Sequence, residues 1–217
     1  MAERDDKVKQ LALVKSLLLK EKCKRDPAFW IKNFVWTHDE HAKVWDGENP
    51  IKPFPYRPYV EPVVKEWTSN SIVHIAKSRQ MSMSWLAMAL LLHEAQFFDF
   101  RLQAVFSKKQ EDAEALVERA KFMYSQQPAW LQSLCPIDRK MRDMPVGQIF
   151  FANGSKLKGF AQGADQIRSY VPSTAFLDEA AFQDKLEETY GACVPCCQRI
   201  VTVSSADAGF FQRLCEL

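Results

Sequence analysis

The strongest constraint on the fold of this 217-residue chain is an alternation of short apolar runs with longer amphipathic segments. Four runs have the length and composition of buried β-strands: SIVHIA (71–76), LQAVFS (102–107), STAFLD (173–178) and QRIVTVSSA (198–206). Helical spacing follows the first two, over residues 84–98 and 108–126. Strands that alternate with helices form a parallel sheet covered on both faces. The sequence therefore predicts an α/β domain whose site lies at the carboxyl ends of the strands.

Turn signals place the other elements of this domain. A hairpin is predicted over 148–160, turning at Asn153-Gly154. A helix over 184–191 is predicted to stop at Gly191. A short helix over 57–67 precedes the first strand, and the proline-containing segment 38–58 reads as a connector.

Two helices are predicted before the connector. Residues 5–24 form a basic amphipathic helix, with an apolar stripe that comprises Val8, Leu11, Val14 and Leu18. Its lysines either contact nucleic acid or form a solvated face. Residues 26–36 begin a second helix, with Asp26 as the N-cap and Pro27 in the first turn.

Composition bounds the class of protein without fixing it. With 47% apolar residues the chain can bury a large core, and a net charge of +2 neither requires nor excludes a nucleic-acid partner. The charged start MAERDDKVKQ indicates no signal peptide, and no apolar run is long enough for a membrane span. The six cysteines are then expected to be reduced, buried thiols; the CVPCC segment (193–197) leaves a metal site as the alternative.

The loop at 77–84 follows the first strand and opens the apolar helix, which is where a phosphate-binding loop would lie. Ser84 can offer its hydroxyl to magnesium, but Ser82 and Met83 occupy the places of the usual glycine and lysine. Lys77 and Arg79 supply positive charge earlier in the same loop. The alternative is a basic loop that only caps a core helix.

Polar residues also follow two later strands. Asp178 would hold magnesium and Glu179 would polarise the attacking water. Ser204 and Ser205 would sense a γ-phosphate or its water. Each pattern alone has an ordinary explanation, since acids also favour helix N-termini and serine pairs are common. The three clusters in this order favour nucleotide chemistry.

Most of the chain resembles the ATPase domain of the large terminase subunit of tailed bacteriophages. The motifs that carry this resemblance are DPAFWIKNFVW, FPYRPYVEPVVKEW, AKSRQMSMSW, GSKLKGFAQGADQIRSYVPSTAFLDEAAF and VTVSSA. The resemblance implies a P-loop NTPase fold of the additional-strand, catalytic-glutamate type, with a mainly parallel sheet flanked by helices. It implies ATP and Mg²⁺ as ligands.

The resemblance also assigns roles by position. The residues Lys77, Ser78, Arg79, Gln80, Met81, Ser82, Met83 and Ser84 match the family's phosphate loop, with Met83 in place of its lysine. Asp178 matches the Walker B aspartate and Glu179 the catalytic glutamate, and Ser204, Ser205 and Ala206 match the coupling motif. Tyr59 falls in the adenine-contacting segment. Arg168 falls where an arginine finger is offered to a neighbouring subunit, although it would also suit Asp165 or a DNA phosphate as a partner.

The function implied is an ATPase motor domain that drives double-stranded DNA into a procapsid in the host cytoplasm. Its partners would be the portal protein, the small terminase subunit and further copies in a ring. The expected organisation is an N-terminal helical segment and connector (1–57) and an ATPase core (58–217), without the C-terminal nuclease domain. Candidate DNA contacts, for each of which a solvated surface position is the favoured alternative, are Lys108, Lys109, Arg139, Lys140 and Arg142. Two alternatives remain open, a helicase-like translocase and a non-catalytic nucleotide-binding assembly module.

Overall fold

The computed structural model describes residues 2–79, 81–138, 145–205 and 209–216. Its helices are α1 (Ala2–Arg25), α2 (Pro27–Phe34), α3 (Val60–Ser69), α4 (Met83–Phe97), α5 (Gln110–Ser125), α6 (Ala129–Leu134), α7 (Leu186–Cys193) and α8 (Phe210–Cys215). Its strands are β1 (Trp36–His38), β2 (Ile51–Pro53), β3 (Ile72–Lys77), β4 (Leu102–Ser107), β5 (Gln148–Phe150), β6 (Lys156–Ala161), β7 (Thr174–Asp178) and β8 (Arg199–Ser205).

Six of these strands form one sheet in the order β3-β8-β7-β4-β6-β5. All neighbours are parallel except β5, which pairs antiparallel with β6. The hairpin turns where the sequence predicted, with Gly154 at φ +82°. The strand β8 lies between β3 and β7 although it comes last in the chain. The predicted α/β architecture, including an additional strand inserted beside the first one, is confirmed.

Helices cover both faces of the sheet. Along β4 and β7, alternate residues face opposite sides, so Val105 and Phe176 join one buried cluster while Phe106 and Leu177 join another. The first cluster contains α4 and α5, and the second contains residues of α7 and α8. Helix α4 is apolar around most of its circumference, because it is enclosed on all sides.

The N-terminal helices pack on the same core as the sheet. Trp30 of α2 is fully buried, and its ring lies 5.4 Å from that of His93 and 6.1 Å from that of Phe97, both on α4. Asp26 caps α2 as predicted, accepting a hydrogen bond of 2.8 Å from the backbone N–H of Phe29. The boundary at residue 57 stays a prediction.

Two local predictions were wrong. The segment 38–58 is not only a connector, since β1 and β2 pair antiparallel with Trp36 opposite Pro53. Helix α7 runs through Gly191 and ends at Cys193. Two residues of the predicted stripe on α1 are exposed, Leu11 at 70% and Leu18 at 68%.

A polar network closes the amino-terminal edge of the sheet. The Glu94 carboxylate at the end of α4 accepts hydrogen bonds from Gln103 and Thr174, each 3.0 Å long, and pairs with Arg199. Because these partners begin β4, β7 and β8, the network ties α4 to three strands. No helix in the described part of the chain is long and apolar enough to cross a membrane.

Candidate nucleotide-binding site

The predicted polar clusters meet at the carboxyl edge of the sheet. The strand β3 ends at Lys77, β7 ends at Asp178 and β8 ends at Ser205. Since β8 lies between β3 and β7, the pairing of neighbouring strands brings the residues after all three within side-chain reach. Residues about a hundred positions apart in the sequence therefore form one site.

The first contact in the site joins the helix α4 to β7. The Ser84 hydroxyl donates to the Asp178 carboxylate, with Oγ 3.0 Å from Oδ1 and 3.1 Å from Oδ2. Asp178 is only 7% exposed. Burial raises its pKa from 3.8 to about 6, and the charge of Glu179 acts in the same direction, whereas the Ser84 hydrogen bond and the nearby cations Lys77 and Arg119 lower it. A cation placed between Ser84 and Asp178 would relieve this burial cost.

The second contact joins β3 to the residue after β7. The Lys77 Nζ lies 2.8 Å from the Glu179 Oε1, and the lysine side chain is 8% exposed whereas the glutamate is 43% exposed. The second carboxylate oxygen of Glu179 accepts from the Ser204 hydroxyl at 3.5 Å. The same hydroxyl accepts the backbone N–H of Ala181 at 3.1 Å. Ser204 therefore links β8 to the turn that carries Glu179.

The backbone is unusual at both halves of the site. Ser82, immediately before α4, has φ +51° and ψ +24°, and Glu179 has φ +45° and ψ +46°. Among the described residues only Phe100 is a further non-glycine residue with positive φ. An L-residue pays for this conformation, so its occurrence at two adjoining turns marks the region as one held in place by its surroundings.

A cavity of about 680 Å³ opens over these residues. Its lining includes Lys77, Met81, Ser82, Met83, Ser84 and Glu179. The β1–β2 ribbon and the segments that follow its two strands also line it, through His38, Asp39, Lys52 and Arg57. This volume falls within the range of small-molecule sites. The cavity is thus large enough for a nucleotide lying over the loop at 77–84.

A smaller cavity of about 440 Å³ adjoins the first and shares Lys77 and Glu179 with it. Its other lining residues are Arg79, Phe182 and Ser205. Arg79 therefore faces this side cavity and does not line the larger one. Ser78 is exposed beside it, and Gln80 and Ala206 lie outside the described residues.

The two methionines of the loop, Met81 and Met83, connect it to the protein interior and to α3. Met83 is buried at 3% exposure, which fits a first-turn residue of a core helix. The backbone carbonyl of Met81 accepts a hydrogen bond from the Tyr59 hydroxyl. Tyr59 does not line the larger cavity among the described residues, so the structure shows it bracing the loop, and its predicted contact with adenine stays a prediction.

Arg168, Lys108 and Lys109 do not line this cavity. Arg168 is 73% exposed and pairs with Asp165 at 2.9 Å, which was one of the alternatives from the sequence. The Lys108 ammonium pairs with Asp184 at 3.1 Å, and Lys109 is exposed at the start of α5. Arg139, Lys140 and Arg142 are outside the described residues.

The cysteines of the CVPCC segment lie on and after α7. Cys193 is buried, and the sulfurs of Cys196 and Cys197 are 3.8 Å apart. Within the described ranges no three side chains of histidine, cysteine, aspartate or glutamate are grouped to hold a metal ion.

Sequence reasoning missed the residues that enclose the cavity from other elements. Arg119 and Trp85 line it from α5 and α4, and His38 contacts the Trp85 ring edge-on at 5.0 Å. Arg119 belongs to an ordinary charged amphipathic helix, so no local pattern distinguishes it from a solvated arginine. The THDEH segment (37–41) is rich in polar side chains, and that was the only signal for the ribbon.

The strand order, the loop that enters a buried helix, and the acidic end of β7 define an α/β fold of the P-loop NTPase class. Solved structures narrow the fold further. The HK97 bacteriophage large terminase matches with a TM-score of 0.59 and 15% identity, over 83% of this chain and 38% of that protein. The ATPase domain of the Thermus phage P74-26 large terminase matches with a TM-score of 0.51 and 14% identity, over 73% of this chain and 69% of that one. The chain has the fold of the ATPase domain of phage large terminases, as the sequence resemblance predicted.

These comparisons concern the fold. No protein-family model matches the sequence, and no curated protein matches it. The chain spans less than half of the HK97 large terminase. The chemistry of this chain therefore has to follow from its own site.

Proposed function

We propose that this chain is the ATPase motor domain of a viral large terminase, hydrolysing ATP with Mg²⁺ to move double-stranded DNA into a procapsid. The observation that carries the proposal is the pairing of Ser84 with Asp178 and of Lys77 with Glu179. These pairs put a hydroxyl, two carboxylates and a cation next to the N-terminus of α4. A site of this composition suits phosphoryl transfer.

Ser84 and Asp178 are the residues that would hold Mg²⁺. A hydroxyl and a single carboxylate match the way magnesium is bound in nucleotide sites, where phosphate oxygens and water complete its coordination. Their fit to a cation is supported by the burial of Asp178 and the raised pKa that results from it. When bound, the ion neutralises phosphate charge and aligns the triphosphate.

Lys77 and Glu179 would exchange partners during the reaction. In the structure the Lys77 ammonium and the Glu179 carboxylate are 2.8 Å apart and neutralise each other. A triphosphate offers Lys77 a stronger anionic partner, which leaves the Glu179 carboxylate free to orient water and accept its proton. The charge that most phosphate loops carry next to the serine is thus supplied from the end of β3.

Ser204 would couple the nucleotide state to the rest of the sheet. Its hydroxyl contacts both Glu179 and the backbone N–H of Ala181, so movement of the carboxylate changes a contact of β8. Ser205 and Arg79 share the side cavity and would respond to the same movement. This arrangement supports the coupling role that the sequence resemblance implied.

The partners follow from the proposed motor role. Double-stranded DNA would be held through its phosphates by Lys108 and Lys109, so binding would be salt-sensitive and sequence-tolerant. We propose a ring of copies on the portal of the procapsid, with the small terminase subunit delivering DNA, in the cytoplasm of the host. Arg168 would act on a neighbouring copy. A nuclease reaction is not part of this proposal.

The decisive experiment compares steady-state ATP turnover of the parent chain with Glu179→Ala and Lys77→Ala, in the presence of Mg²⁺, duplex DNA and portal. Loss of the base should lower turnover by roughly 10²- to 10⁴-fold while nucleotide still binds. Lys77→Ala should weaken ATP binding as well. Glu187→Ala is the matched control, because this carboxylate forms a surface pair with Arg213.

Two other results would select the alternatives. A parent that binds ATP but does not hydrolyse it with DNA and portal present would favour a non-catalytic assembly module. ATP-dependent unwinding of a forked duplex would favour a helicase-like translocase, since a packaging motor moves DNA without separating its strands.

A further inference from the structure

Arg119 lies in the middle of α5, a helix that carries no residue predicted for nucleotide binding, and its side chain lines the larger cavity. It lines the cavity together with Lys77, Ser84 and Glu179. The guanidinium carbon lies 5.4 Å from the centroid of the Trp85 ring, one residue after Ser84. Stacking on an aromatic face fixes the plane of a guanidinium and leaves its N–H groups available at the edge.

The other cations around the cavity are either paired or exposed. Lys77 is paired with Glu179, and Lys52 lies 3.1 Å from Asp39 and 3.6 Å from Glu48. Arg57 is exposed on the loop that precedes α3. Arg119 is half-buried, and among the described residues it forms no ion pair with a carboxylate. Arg119 is therefore a half-buried cation of the cavity whose charge no carboxylate of the described residues neutralises by direct contact.

The position of Arg119 relative to the acidic residues indicates which part of a ligand it would meet. Its guanidinium lies over the ring of Trp85, the residue that follows Ser84 in the first turn of α4. Ser84 lines the same cavity and donates to Asp178, so Arg119 lies on the side of the proposed magnesium site. In a nucleotide bound over the loop, the oxygens next to magnesium belong to the β- and γ-phosphates.

We infer that Arg119 is a triphosphate-binding residue, donating from its guanidinium to β- or γ-phosphate oxygens while Trp85 holds it in place. The inference rests on the proposed ATPase function and deepens it. It assigns to α5 the second positive charge that the sequence placed on Arg79, which faces the side cavity. A planar cation with several donors suits phosphate better than an ammonium would.

The test must separate charge from packing, because Arg119 also covers Trp85. Arg119→Met keeps an unbranched side chain on the tryptophan ring and removes the charge, and Arg119→Lys keeps the charge without the fork. Lys121→Ala is the matched control, since it removes a cation from the same helix whose partners are Glu118 and the Pro145 carbonyl. Dissociation constants for MgATP, MgADP and AMP are measured by calorimetric titration, and melting temperatures are recorded for each variant.

We expect Arg119→Met to weaken MgATP binding by roughly tenfold to a hundredfold, the loss typical of hydrogen bonds to a charged group. AMP binding should be unchanged, because AMP has neither the β- nor the γ-phosphate. Arg119→Lys should recover part of the loss, and Lys121→Ala should match the parent.

Three results would overturn the inference. If Arg119→Met binds MgATP like the parent while Lys77→Ala does not, the proposed function stands and Arg119 has no role in it. If ATP and AMP weaken equally and the melting temperature falls, Arg119 supports packing alone. If the parent chain binds no MgATP, the proposed function and this inference fail together.

Discussion

At the scale of single residues, the site departs from common phosphate loops in ways that compensate one another. Ser82 adopts a left-handed conformation that a glycine would take more easily, and Glu179 does the same after β7. In the proposed site the cation missing at position 83 would be supplied by Lys77, whose ammonium lies 2.8 Å from the Glu179 carboxylate. The geometry of the loop is therefore maintained by contacts with other elements, including the Tyr59 hydrogen bond to Met81.

The Ser84 hydroxyl provides a direct test of the proposed magnesium site. Ser84→Ala should raise the Mg²⁺ concentration needed for half-maximal ATP hydrolysis by about tenfold or more, because an oxygen ligand and a hydrogen bond to Asp178 are both lost. Ser84→Thr keeps the hydroxyl and should remain near the parent. Equal magnesium dependence of the alanine and threonine variants would show that this hydroxyl does not hold the ion.

His93 sets a pH dependence of stability far from the site. The ring is buried between Trp30 and Phe97, and its Nε2–H donates to the Cys23 carbonyl at 2.8 Å. Burial lowers its pKa from 6.5 to about 4. Between these two pH values the unfolded chain binds a proton that the folded chain does not, so the free energy of unfolding falls as the pH falls. The loss is about 3 kcal/mol for this group by pH 4.

Asp178 acts in the opposite sense over nearly the same range. Its pKa is raised in the folded chain to about 6, so protonation between pH 6 and 3.8 favours folding. Urea unfolding at several pH values should show that His93→Gln gains stability on acidification relative to the parent, whereas Asp178→Asn loses it more steeply. Curves for His93→Gln and the parent that run parallel would contradict the assignment.

At the scale of elements, two glycines that the sequence placed at the ends of elements have different roles in the structure. Gly191 is inside α7, and a Cβ added there would have no atom within 4 Å, whereas Gly154 turns the β5–β6 hairpin at φ +82°. A Cβ on Gly154 would lie 2.7 Å from the ring of Phe100. The same residue type therefore permits helix continuation in one place and a left-handed turn in the other.

Alanine at these two positions should change stability in opposite directions. Gly191→Ala should stabilise the fold by about 0.5–1 kcal/mol, because alanine loses less backbone entropy in a helix. Gly154→Ala should destabilise it by about 1 kcal/mol or more, because of the left-handed φ and the contact with Phe100. The free energies come from urea unfolding, and a destabilised Gly191→Ala would mean that α7 does not continue to Cys193.

The β1–β2 ribbon is the element that the sequence concealed most completely. Each strand has three residues, and proline and glycine between and after them indicated irregular structure. Its pairing depends on packing against α4 and α5, where His38 contacts Trp85 and Phe122 edge-on. Short strands of this kind acquire their stability from the surface beneath them and leave little periodic signal.

At the scale of the whole molecule, the position of Arg168 determines how it could act. Its side chain is 73% exposed, pairs with Asp165 and lies outside the larger cavity of its own chain. If it supports catalysis as proposed, it does so in the cavity of an adjacent copy. Activity should then depend on assembly.

Mixing two inactive variants tests this directly. Arg168→Ala has an intact phosphate loop, and Lys77→Ala has an intact Arg168. In a mixed ring, a Lys77→Ala copy supplies Arg168 to the site of its Arg168→Ala neighbour, so ATP turnover on portals should recover to a measurable fraction of the parent. Lys77→Ala mixed with Glu179→Ala is the control and should stay inactive, because neither copy has a complete phosphate loop and base. Absence of recovery in the first mixture would exclude a role in trans.

The sequence by itself determined the alternation of strands and helices, the residues at the strand ends and the resemblance to terminase ATPase domains, because these depend on local periodicity and short motifs. Only the tertiary structure decided that Lys77 pairs with Glu179, that Arg79 faces the side cavity, and that Arg119 enters the site from α5. The physical reason is that these relations depend on strand order and on packing between elements separated by tens of residues. Local sequence carries no record of which distant side chain will face a given cavity.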